Sequence, residues 1–279
     1  MSKVWFITGS SRGLGRCLAE AVLADGQRLV ATARRPEQLS DLVARYGPQV
    51  CAVALDVTDQ VQIAAAVEAG LAAFGRLDVV VNNAGYGRLC AIEQTTDDEL
   101  RAQVETNLWG VVNVTRAALP VLRRQRSGHF IQVSSMGGRA AAGPGLVGYI
   151  TAKHGVEAFS EILSCEVASL GIKVTLVEPG AFRTDWAGPS LTVTEPWEDY
   201  RPSVEPMIQF FRSAAGREPG DPARAAQIIL QVAAMAGPPL RLLLGNDAVD
   251  VVRQVETAKL AEIDRWEELS RSTDYRTVL

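Results

Sequence analysis

Short hydrophobic runs alternate with segments of helical periodicity along most of the chain. Seven runs have the length and β-branched content of strands: VWFIT, RLVATA, VCAVAL, LDVVVNN, HFIQVSS, IKVTLVEPG and LRLLLG. Between the first two, Leu14, Leu18 and Val22 recur at helical spacing. Because the strand runs are almost wholly apolar, both of their faces are expected to be covered. The pattern predicts an α/β protein with a doubly wound, mostly parallel seven-stranded sheet and helices on both faces.

The remaining periodic segments predict the helices and the domain organisation. A long helix over 96–124 is expected to bend or end near Pro120, and a helix over 149–170 is expected to end at Gly171. No repeat or linker interrupts the alternation, so residues 1–279 are interpreted as a single domain. Residues 181–218 are too long for a connector and are interpreted as a substrate lid. Residues 247–279 are charged, helical in pattern, and interpreted as a C-terminal extension.

Composition excludes several classes of function. The chain has 279 residues, 47% of them hydrophobic, and a net charge of −4, which favours neither nucleic acid nor an anionic membrane as a partner. No stretch approaches the roughly 18 apolar residues of a membrane span. The four cysteines are scattered and are expected to be reduced thiols of a cytoplasmic protein. With two histidines and no cysteine cluster, no metal site is expected.

The glycine-rich segment TGSSRGLG at 8–15 follows a predicted strand and opens a predicted helix. Gly9, Gly13 and Gly15 allow a tight turn and let the backbone approach a pyrophosphate at the helix N-terminus. An ordinary β–α turn is the alternative. The segment lacks the GKS or GKT of a Walker A loop and has a different spacing from GxGxxG.

Tyr149 and Lys153 are four residues apart and share one face of a predicted helix. A tyrosine has a pKa near 10, and an ammonium nearby stabilises the phenolate. A lowering of two or three units is expected to let Tyr149 both donate and accept a proton near neutral pH. The alternative is a core tyrosine beside a lysine that extends to solvent.

Seven segments, in order, resemble the short-chain dehydrogenase/reductase family over roughly the first 185 residues. They are TGSSRGLG at 8–15, DVTD at 56–59, NNAG at 82–85, NLWG at 107–110, VSS at 133–135, YITAK at 149–153 and PGAFRT at 179–184. The resemblance implies a Rossmann sheet that binds a nicotinamide dinucleotide and an oxidoreductase activity on CH–OH or C=O groups. It also implies a homodimer or homotetramer assembled through helices at 97–124 and 154–170.

The resemblance also implies roles for individual cofactor-binding residues. The three loop glycines are expected at the diphosphate. Asp56 and Val57, which follow the third strand, are expected at adenine, and the PG turn is expected at the carboxamide. The full set comprises Gly9, Ser11, Arg12, Gly13, Leu14, Gly15, Arg34, Asp56, Val57, Asn83, Gly85, Tyr149, Lys153, Pro179, Gly180, Phe182 and Thr184. Asp56 and Asn82 also fit plain turn chemistry at strand ends.

The implied catalytic group comprises Tyr149, Lys153, a serine and Asn107. The family serine usually stands thirteen residues before the tyrosine, where this chain has Met136. Ser135 is chosen over Ser134 because its neighbours match the second serine of the family pair. Asn107 matches the asparagine that holds a water beside the lysine; a buried polar residue satisfied by backbone is the alternative. His154 points away around the helix and is interpreted as structural.

The end of the second strand predicts the cofactor. An enzyme that prefers NAD needs an acidic residue there for the ribose 2′-hydroxyl, and that position falls on Ala33. Arg34 follows it, and a guanidinium binds a 2′-phosphate through paired hydrogen bonds. We therefore expect NADP, with Arg34 as the main contact, Arg12 second and Arg35 third. A solvated charge pair is the alternative.

The leading hypothesis is an NADP-dependent carbonyl reductase or secondary alcohol dehydrogenase with an apolar small-molecule substrate. Aromatic residues in 181–211 suggest an apolar substrate wall, although several could simply anchor the loop. Arg139, Arg183 and Arg201 could instead receive an anionic group. A dinucleotide-binding sensor or scaffold without turnover, and a lyase or epimerase on the same fold, are the other functions considered.

Overall fold

A computed structural model of the chain describes residues 2–141 and 143–275. The strands are β1 Val4–Ile7, β2 Arg28–Ala33, β3 Val50–Ala54, β4 Val79–Asn82, β5 Gly87–Leu89, β6 Gly128–Val133, β7 Ile172–Pro179, β8 Leu191–Val193 and β9 Arg241–Leu244. Seven of them form one sheet in the order β3-β2-β1-β4-β6-β7-β9, and every pairing in it is parallel. The other two, β5 and β8, pair separately. The doubly wound, seven-stranded parallel sheet expected from the sequence is confirmed.

Helices cover both faces of this sheet. They are α1 Gly13–Ala24, α2 Ser40–Tyr46, α3 Gln60–Phe74, α4 Asp97–Val104, α5 Gly110–Gln125, α6 Val147–Val167, α7 Arg201–Ala214, α8 Pro222–Ala234 and α9 Asn246–Arg271. Trp5 and Ile7 of β1 point into a core built with α1, α2 and α8, whereas Val4 and Phe6 point into a core built with α3, α5 and α6. This alternation explains why a strand buried on both faces is apolar at every position.

The strand order reverses at β1, which lies between β2 and β4. In open α/β sheets, ligands bind in the crevice outside the carboxyl ends of the strands at such a switch point. The glycine loop after β1, the arginines after β2 and the segments after β6 and β7 therefore meet at one edge of the sheet.

The long helix expected over 96–124 is divided in a different place from the one predicted. Residues Glu105–Trp109 form a π-helical turn between α4 and α5, whereas Pro120 lies inside α5 without ending it. A π-helical turn inserts an extra residue into a helix and is common at functional sites. An end of the helix near Pro120 was therefore wrong, and the widened turn is centred on Asn107.

Residues 181–218 contain regular structure that the sequence did not predict. β8 pairs in parallel with β5, from Gly87↔Leu191 to Leu89↔Val193, and α7 follows. Leu146 and Ile208 belong to a small apolar cluster beneath α7. Within the described ranges, no helix has the length and apolarity needed to cross a membrane.

Candidate active site

Asn83 holds the glycine-rich loop open at the carboxyl end of β1. Its side-chain Nδ2 donates to the carbonyl oxygens of Thr8 at 2.9 Å and Gly9 at 3.1 Å. Gly9 has φ +69°, a conformation that favours glycine, and a Cβ at Gly15 would collide with the Asn83 side chain and the Gly9 carbonyl. The loop therefore needs these glycines to pack against Asn83 while it leads into α1.

One cleft of about 1370 Å³ runs along this edge of the sheet and brings most of the predicted site residues together. Gly15 and Asn107 do not line it; both lie behind its wall. The predicted residues that do line it are Gly9, Ser11, Arg12, Gly13, Leu14, Arg34, Asp56, Val57, Asn83, Gly85, Ser135, Tyr149, Lys153, Pro179, Gly180, Phe182 and Thr184. In the described part of the chain, no group of three His, Cys, Asp or Glu side chains could hold a metal ion.

The end of the cleft beside β2 is cationic. Ala33 is buried, and Arg34 and Arg35 follow it as exposed side chains that line the cleft. Among the described residues neither arginine forms an ion pair, whereas Arg16 on α1 is paired with Glu20 and Asp41. The guanidinium groups of Arg34 and Arg35 therefore remain available to an anion.

Asp56 supports the turn after β3. Its Oδ1 accepts hydrogen bonds from the Thr58 backbone N–H at 3.0 Å and from the Thr58 hydroxyl at 2.8 Å. This is the turn chemistry that the sequence left open. Asp56 and the buried Val57 also line the cleft beside the arginines, so the turn is compatible with a ligand contact.

Tyr149 and Lys153 form the other end of the cleft, on the first turns of α6. Lys153 is buried; its Nζ donates to the Val133 carbonyl at 2.6 Å and lies 5.7 Å from the centre of the Tyr149 ring. Burial lowers the pKa of Lys153 to about 8, against an opposing effect from Glu157. At neutral pH the lysine is still mainly charged.

The pKa of Tyr149 departs from the expected direction. Burial raises it to about 12, and a hydrogen bond with Ser135 opposes this rise. Lys153 is directed at the Val133 carbonyl rather than at the phenol oxygen, so desolvation dominates. The lowering of the Tyr149 pKa was expected beside both Lys153 and a nicotinamide cation; in the protein alone it does not occur, and Tyr149 keeps its proton at neutral pH.

The two candidate serines face different surroundings. Ser135 interacts with Tyr149, and its Oγ also accepts a hydrogen bond from the Gly137 backbone N–H at 3.0 Å. Ser134 is 2% exposed, and its Oγ has no hydrogen-bond partner among the described residues. A Cβ built on Gly138 would lie 2.6 Å from this oxygen and 3.0 Å from Glu157 Cγ, so the Ser134 hydroxyl lies close to Gly138, although Ser134 also lines the cleft. Of the two hydroxyls, only that of Ser135 is placed beside the phenol.

Asn107 links the π-helical turn to the segment after β4. Its Oδ1 accepts from the Tyr86 backbone N–H at 3.0 Å, and its Nδ2 donates to the Tyr86 carbonyl at 2.9 Å. A Cβ on Gly85 would lie 2.5 Å from the same Oδ1. The side chain is fully buried and satisfied by backbone, the alternative that the sequence left open for Asn107.

A wall of aromatic side chains covers the end of the cleft at Tyr149. The rings of Tyr149 and Trp186 lie 5.2 Å apart, and those of Trp186 and Phe211 lie 5.6 Å apart. Phe182, Met207 and Phe210 also line the cleft. Two other aromatics of the segment anchor it elsewhere: the Tyr200 hydroxyl donates to Glu93, and the Trp197 backbone N–H donates to Gln94.

None of the three arginines considered for an anionic substrate lines the cleft. Arg139 lies 3.6 Å from both Glu178 and Glu256, and Arg183 donates to the Glu218 carbonyl at 3.1 Å. Arg201 begins α7. The arginines that do line the cleft, Arg12, Arg34 and Arg35, follow β1 and β2.

Sequence reasoning missed Asp247, which lies beside the PG turn. Its Oδ2 accepts a hydrogen bond from the Ala181 backbone N–H at 2.7 Å, and the residue lines the cleft. The available signal was its position: it follows Gly245 directly after the last strand, at the edge of the sheet where ligands bind.

Comparison with known proteins gives consistent matches. A family model for short chain dehydrogenases matches residues 3–192. Oxidoreductase BOA17 of Botryotinia fuckeliana is 51% identical over 271 residues, covering 97% of this chain and 98% of that protein. A short-chain dehydrogenase structure from Streptomyces avermitilis superposes with a TM-score of 0.93 at 43% identity, covering 99% of this chain and 100% of the other.

Two further solved structures contain a dinucleotide. A short chain dehydrogenase/reductase from Burkholderia phymatum in complex with NAD has a TM-score of 0.81 at 23% identity, with 93% and 95% of the two chains covered. A short chain dehydrogenase from Burkholderia cenocepacia in complex with NADP has a TM-score of 0.73 at 26% identity, with 95% and 97% covered.

Proposed function

The chain belongs to the short-chain dehydrogenase family of oxidoreductases, and on that basis we propose that it is an NADP-dependent carbonyl reductase or secondary alcohol dehydrogenase. One observation carries the proposal. Ser135, Tyr149 and Lys153 converge at one end of the cleft, and Arg34 lines the opposite end. The first group suits proton transfer to a carbonyl, and the arginine suits a 2′-phosphate.

The cleft fits a nicotinamide dinucleotide. Gly9 and Gly13 both have positive φ, and the loop leads into the N-terminus of α1, where backbone N–H groups and the helix dipole favour a diphosphate. Adenine is assigned to Asp56 and Val57, and the carboxamide to the Pro179–Thr184 segment. The related structure in complex with NADP, which is 26% identical, supports this class of cofactor.

Three side chains are assigned to the chemistry. When bound, the reduced nicotinamide supplies hydride to the carbonyl carbon. Tyr149 donates its phenolic proton to the carbonyl oxygen, and the Ser135 hydroxyl orients that oxygen by a hydrogen bond. Lys153 holds the ribose hydroxyls and stabilises the phenolate that remains. Asn107 fixes the Tyr86 backbone beside this group through its two hydrogen bonds.

The protonation state of Tyr149 suits reduction. A general acid must be protonated before it acts, and burial raises the pKa of Tyr149 so that the phenol holds its proton at neutral pH. We therefore propose a ketone as the substrate with which to test the site.

The substrate class follows from the lining of the catalytic end. Trp186, Phe210 and Phe211 cover it, with Met136, Leu146 and Ile150 opposite. The only Lys or Arg among the described residues lining that end is Lys153, which is buried against Val133 and assigned to the ribose. A carboxylate or phosphate substrate would lack a cationic partner there, so we propose an uncharged, apolar ketone.

The first test is a panel of neutral aryl and alkyl ketones with NADPH. Equal amounts of NADPH oxidised and alcohol formed are expected for at least one apolar ketone. Keto acids of similar size serve as the charged comparison and are expected to react poorly. Tight NADPH binding with no consumption across the panel would favour a sensor or scaffold instead.

The second test addresses the cofactor. A charge-assisted hydrogen bond contributes roughly 1.5–3 kcal/mol, so one contact from Arg34 to the 2′-phosphate is expected to favour NADPH by about 10- to 100-fold in kcat/KM. The double variant Ala33→Asp/Arg34→Leu is expected to remove the preference. Arg45→Leu, an exposed arginine outside the cleft, is the control. Equal use of NADH by the wild type would contradict the assignment.

We also propose a homodimer or homotetramer assembled through α4, α5 and α6. Two large apolar side chains support this: Trp109 is 49% exposed and Ile162 is 62% exposed. Val167 and Leu170, in contrast, pack into the core. Light scattering at micromolar concentration is expected to give a multiple of the 30.0 kDa chain mass. A monomer would contradict this assembly.

A further inference from the structure

The Asp247 carboxylate lies between Gly180 and Gly245, which leave room for it because they have no side chain. It lies in the first turn of α9, and its Oδ2 accepts the Ala181 backbone N–H at 2.7 Å. A Cβ on Gly180 would collide with both carboxylate oxygens, and a Cβ on Gly245 would lie 2.5 Å from Oδ1. Both neighbouring backbones must therefore be glycine for the carboxylate to reach the PG turn.

The second oxygen of this carboxylate has no partner. Asp247 Oδ1 is buried and forms no hydrogen bond with any described residue. An unsatisfied buried acceptor is costly, and an ionised one more so. Asp247 lines the cleft beside Pro179, Gly180 and Ala181, the segment assigned to the carboxamide. The free acceptor and the assigned carboxamide segment are therefore next to each other.

The chemistry of the missing partner follows from what the dinucleotide can offer at this place. The acceptor needs an N–H or O–H donor, and the Ala181 N–H is already used by Oδ2. A primary carboxamide has two N–H donors. We propose that Asp247 Oδ1 accepts a hydrogen bond from the carboxamide nitrogen of the bound nicotinamide, and so makes Asp247 a cofactor-positioning residue supplied by α9. This inference rests on the proposed dinucleotide binding.

A purely structural role makes a different prediction. If Asp247 only braces the PG turn through Ala181, its removal weakens every dinucleotide equally. If Oδ1 binds the carboxamide N–H, its removal weakens only dinucleotides that carry that N–H. The two roles are therefore separated by changing the enzyme and the ligand together.

The experiment measures equilibrium binding of two ligands by calorimetry. They are NADP⁺ and its 3-acetylpyridine analogue, in which the carboxamide NH₂ is replaced by CH₃. The proteins are the wild type, Asp247→Ala, Asp247→Asn and the control Asp250→Asn, an exposed acid in the same helix. Asp247→Asn keeps an oxygen for the Ala181 N–H, so it tests the carboxamide contact with the turn still braced. Thermal unfolding without ligand checks that each variant is folded.

The wild type and Asp250→Asn are expected to bind NADP⁺ about 10- to 100-fold more tightly than the analogue, the range for a charge-assisted hydrogen bond. Asp247→Ala and Asp247→Asn are expected to lose most of this ratio. An unchanged affinity ratio in both Asp247 variants, with both ligands bound equally more weakly, would overturn the carboxamide contact. Support of the PG turn through Ala181 would then be the role of Asp247. Failure of the wild type to bind either ligand would overturn the dinucleotide assignment itself, and this inference with it.

Discussion

The Lys153 ammonium nitrogen lies 5.7 Å from the centre of the Tyr149 ring, yet donates its hydrogen bond to the Val133 carbonyl at 2.6 Å. The lysine is thus attached to the end of β6 while it remains beside the phenol. This geometry places an ammonium beside a phenol that holds its own proton at neutral pH.

Tyr149→Phe tests the proton transfer directly. The variant keeps the ring that packs on Trp186 but lacks the hydroxyl. We expect it to fold and bind NADPH with unchanged affinity, while kcat falls by about 10²- to 10⁴-fold, the usual contribution of general acid–base catalysis. Tyr46→Phe removes a phenol outside the cleft and serves as the control. Turnover near that of the wild type would rule out Tyr149 as the acid.

Ser134→Ala and Ser135→Ala form a matched pair at adjacent positions. Only Ser135 lies beside Tyr149, so its loss is expected to lower kcat by at least tenfold. The Ser134 hydroxyl has no described partner, so its removal leaves no acceptor unsatisfied and kcat should change less than twofold. Steady-state kinetics on one good ketone decides between them; the reverse order would move the catalytic role to Ser134.

Glu157 is expected to set the alkaline limit of activity. Its negative charge raises the pKa of Lys153, which burial lowers to about 8. Arg241 Nε lies 2.9 Å from Glu157 Oε2, and the Glu157 charge also raises the pKa of the neighbouring Glu178. In Glu157→Gln the lysine should lose its proton at lower pH, so the alkaline limb of kcat/KM against pH should move down.

Glu161→Gln provides the control for this shift. Glu161 also pairs with Arg241, at 2.8 Å, but it is exposed and does not contribute to the pKa of Lys153. Its pH profile should match that of the wild type. Coincident profiles for all three proteins would show that Glu157 does not influence Lys153.

His129 is expected to make the fold sensitive to mild acid. Burial lowers its pKa to about 3, far below the ordinary 6.5, and its Nε2 lies 2.9 Å from the Thr175 hydroxyl. Between about pH 3 and pH 6.5, His129 therefore binds a proton in the unfolded chain but not in the native state. Stability from this residue is therefore present above about pH 6.5 and decreases by about 1.4 kcal/mol for each pH unit below it.

Urea unfolding at pH 7.0 and pH 5.0 measures this dependence. His129→Gln should lose less stability between the two pH values than the wild type, even if it is less stable at pH 7.0. His154→Gln, which changes the exposed histidine, should behave as the wild type does. An equal loss in the wild type and His129→Gln would contradict the assignment.

The sequence predicted elements whose determinants are local. β2 spans the six residues of RLVATA, and α1 covers 13–24, because both are bounded by turn residues and have clear periodicity. Gly171 adopts the left-handed conformation expected of a residue that follows a helix. The glycine loop and the YxxxK pair were recognisable for the same reason, since each lies within one short segment.

The features that sequence reasoning missed depend on contacts between distant segments. β5 and β8 have three residues each and pair across about a hundred positions of sequence, so neither is a convincing strand alone. The π-helical turn forms around the bonds between Asn107 and Tyr86, which periodicity does not reveal. The high pKa of Tyr149 comes from burial, which only the folded chain provides.

The pairing of Phe182 with Gly220 has a consequence for how new specificities can arise. The Arg183 N–H donates to the Gly220 carbonyl at 2.9 Å, and the Gly220 N–H donates to the Ala181 carbonyl at 3.0 Å. The segment between residues 183 and 220 therefore begins and ends at adjacent positions. Everything between is a closed insert, and changing its length has a small entropic cost because closure entropy grows only logarithmically. The insert carries Trp186 and Phe211, whereas Ser135, Tyr149 and Lys153 lie outside it. A graft of this insert from one relative to another must therefore also match β5 and Leu146, against which the insert packs, whereas Ser135, Tyr149 and Lys153 need not change.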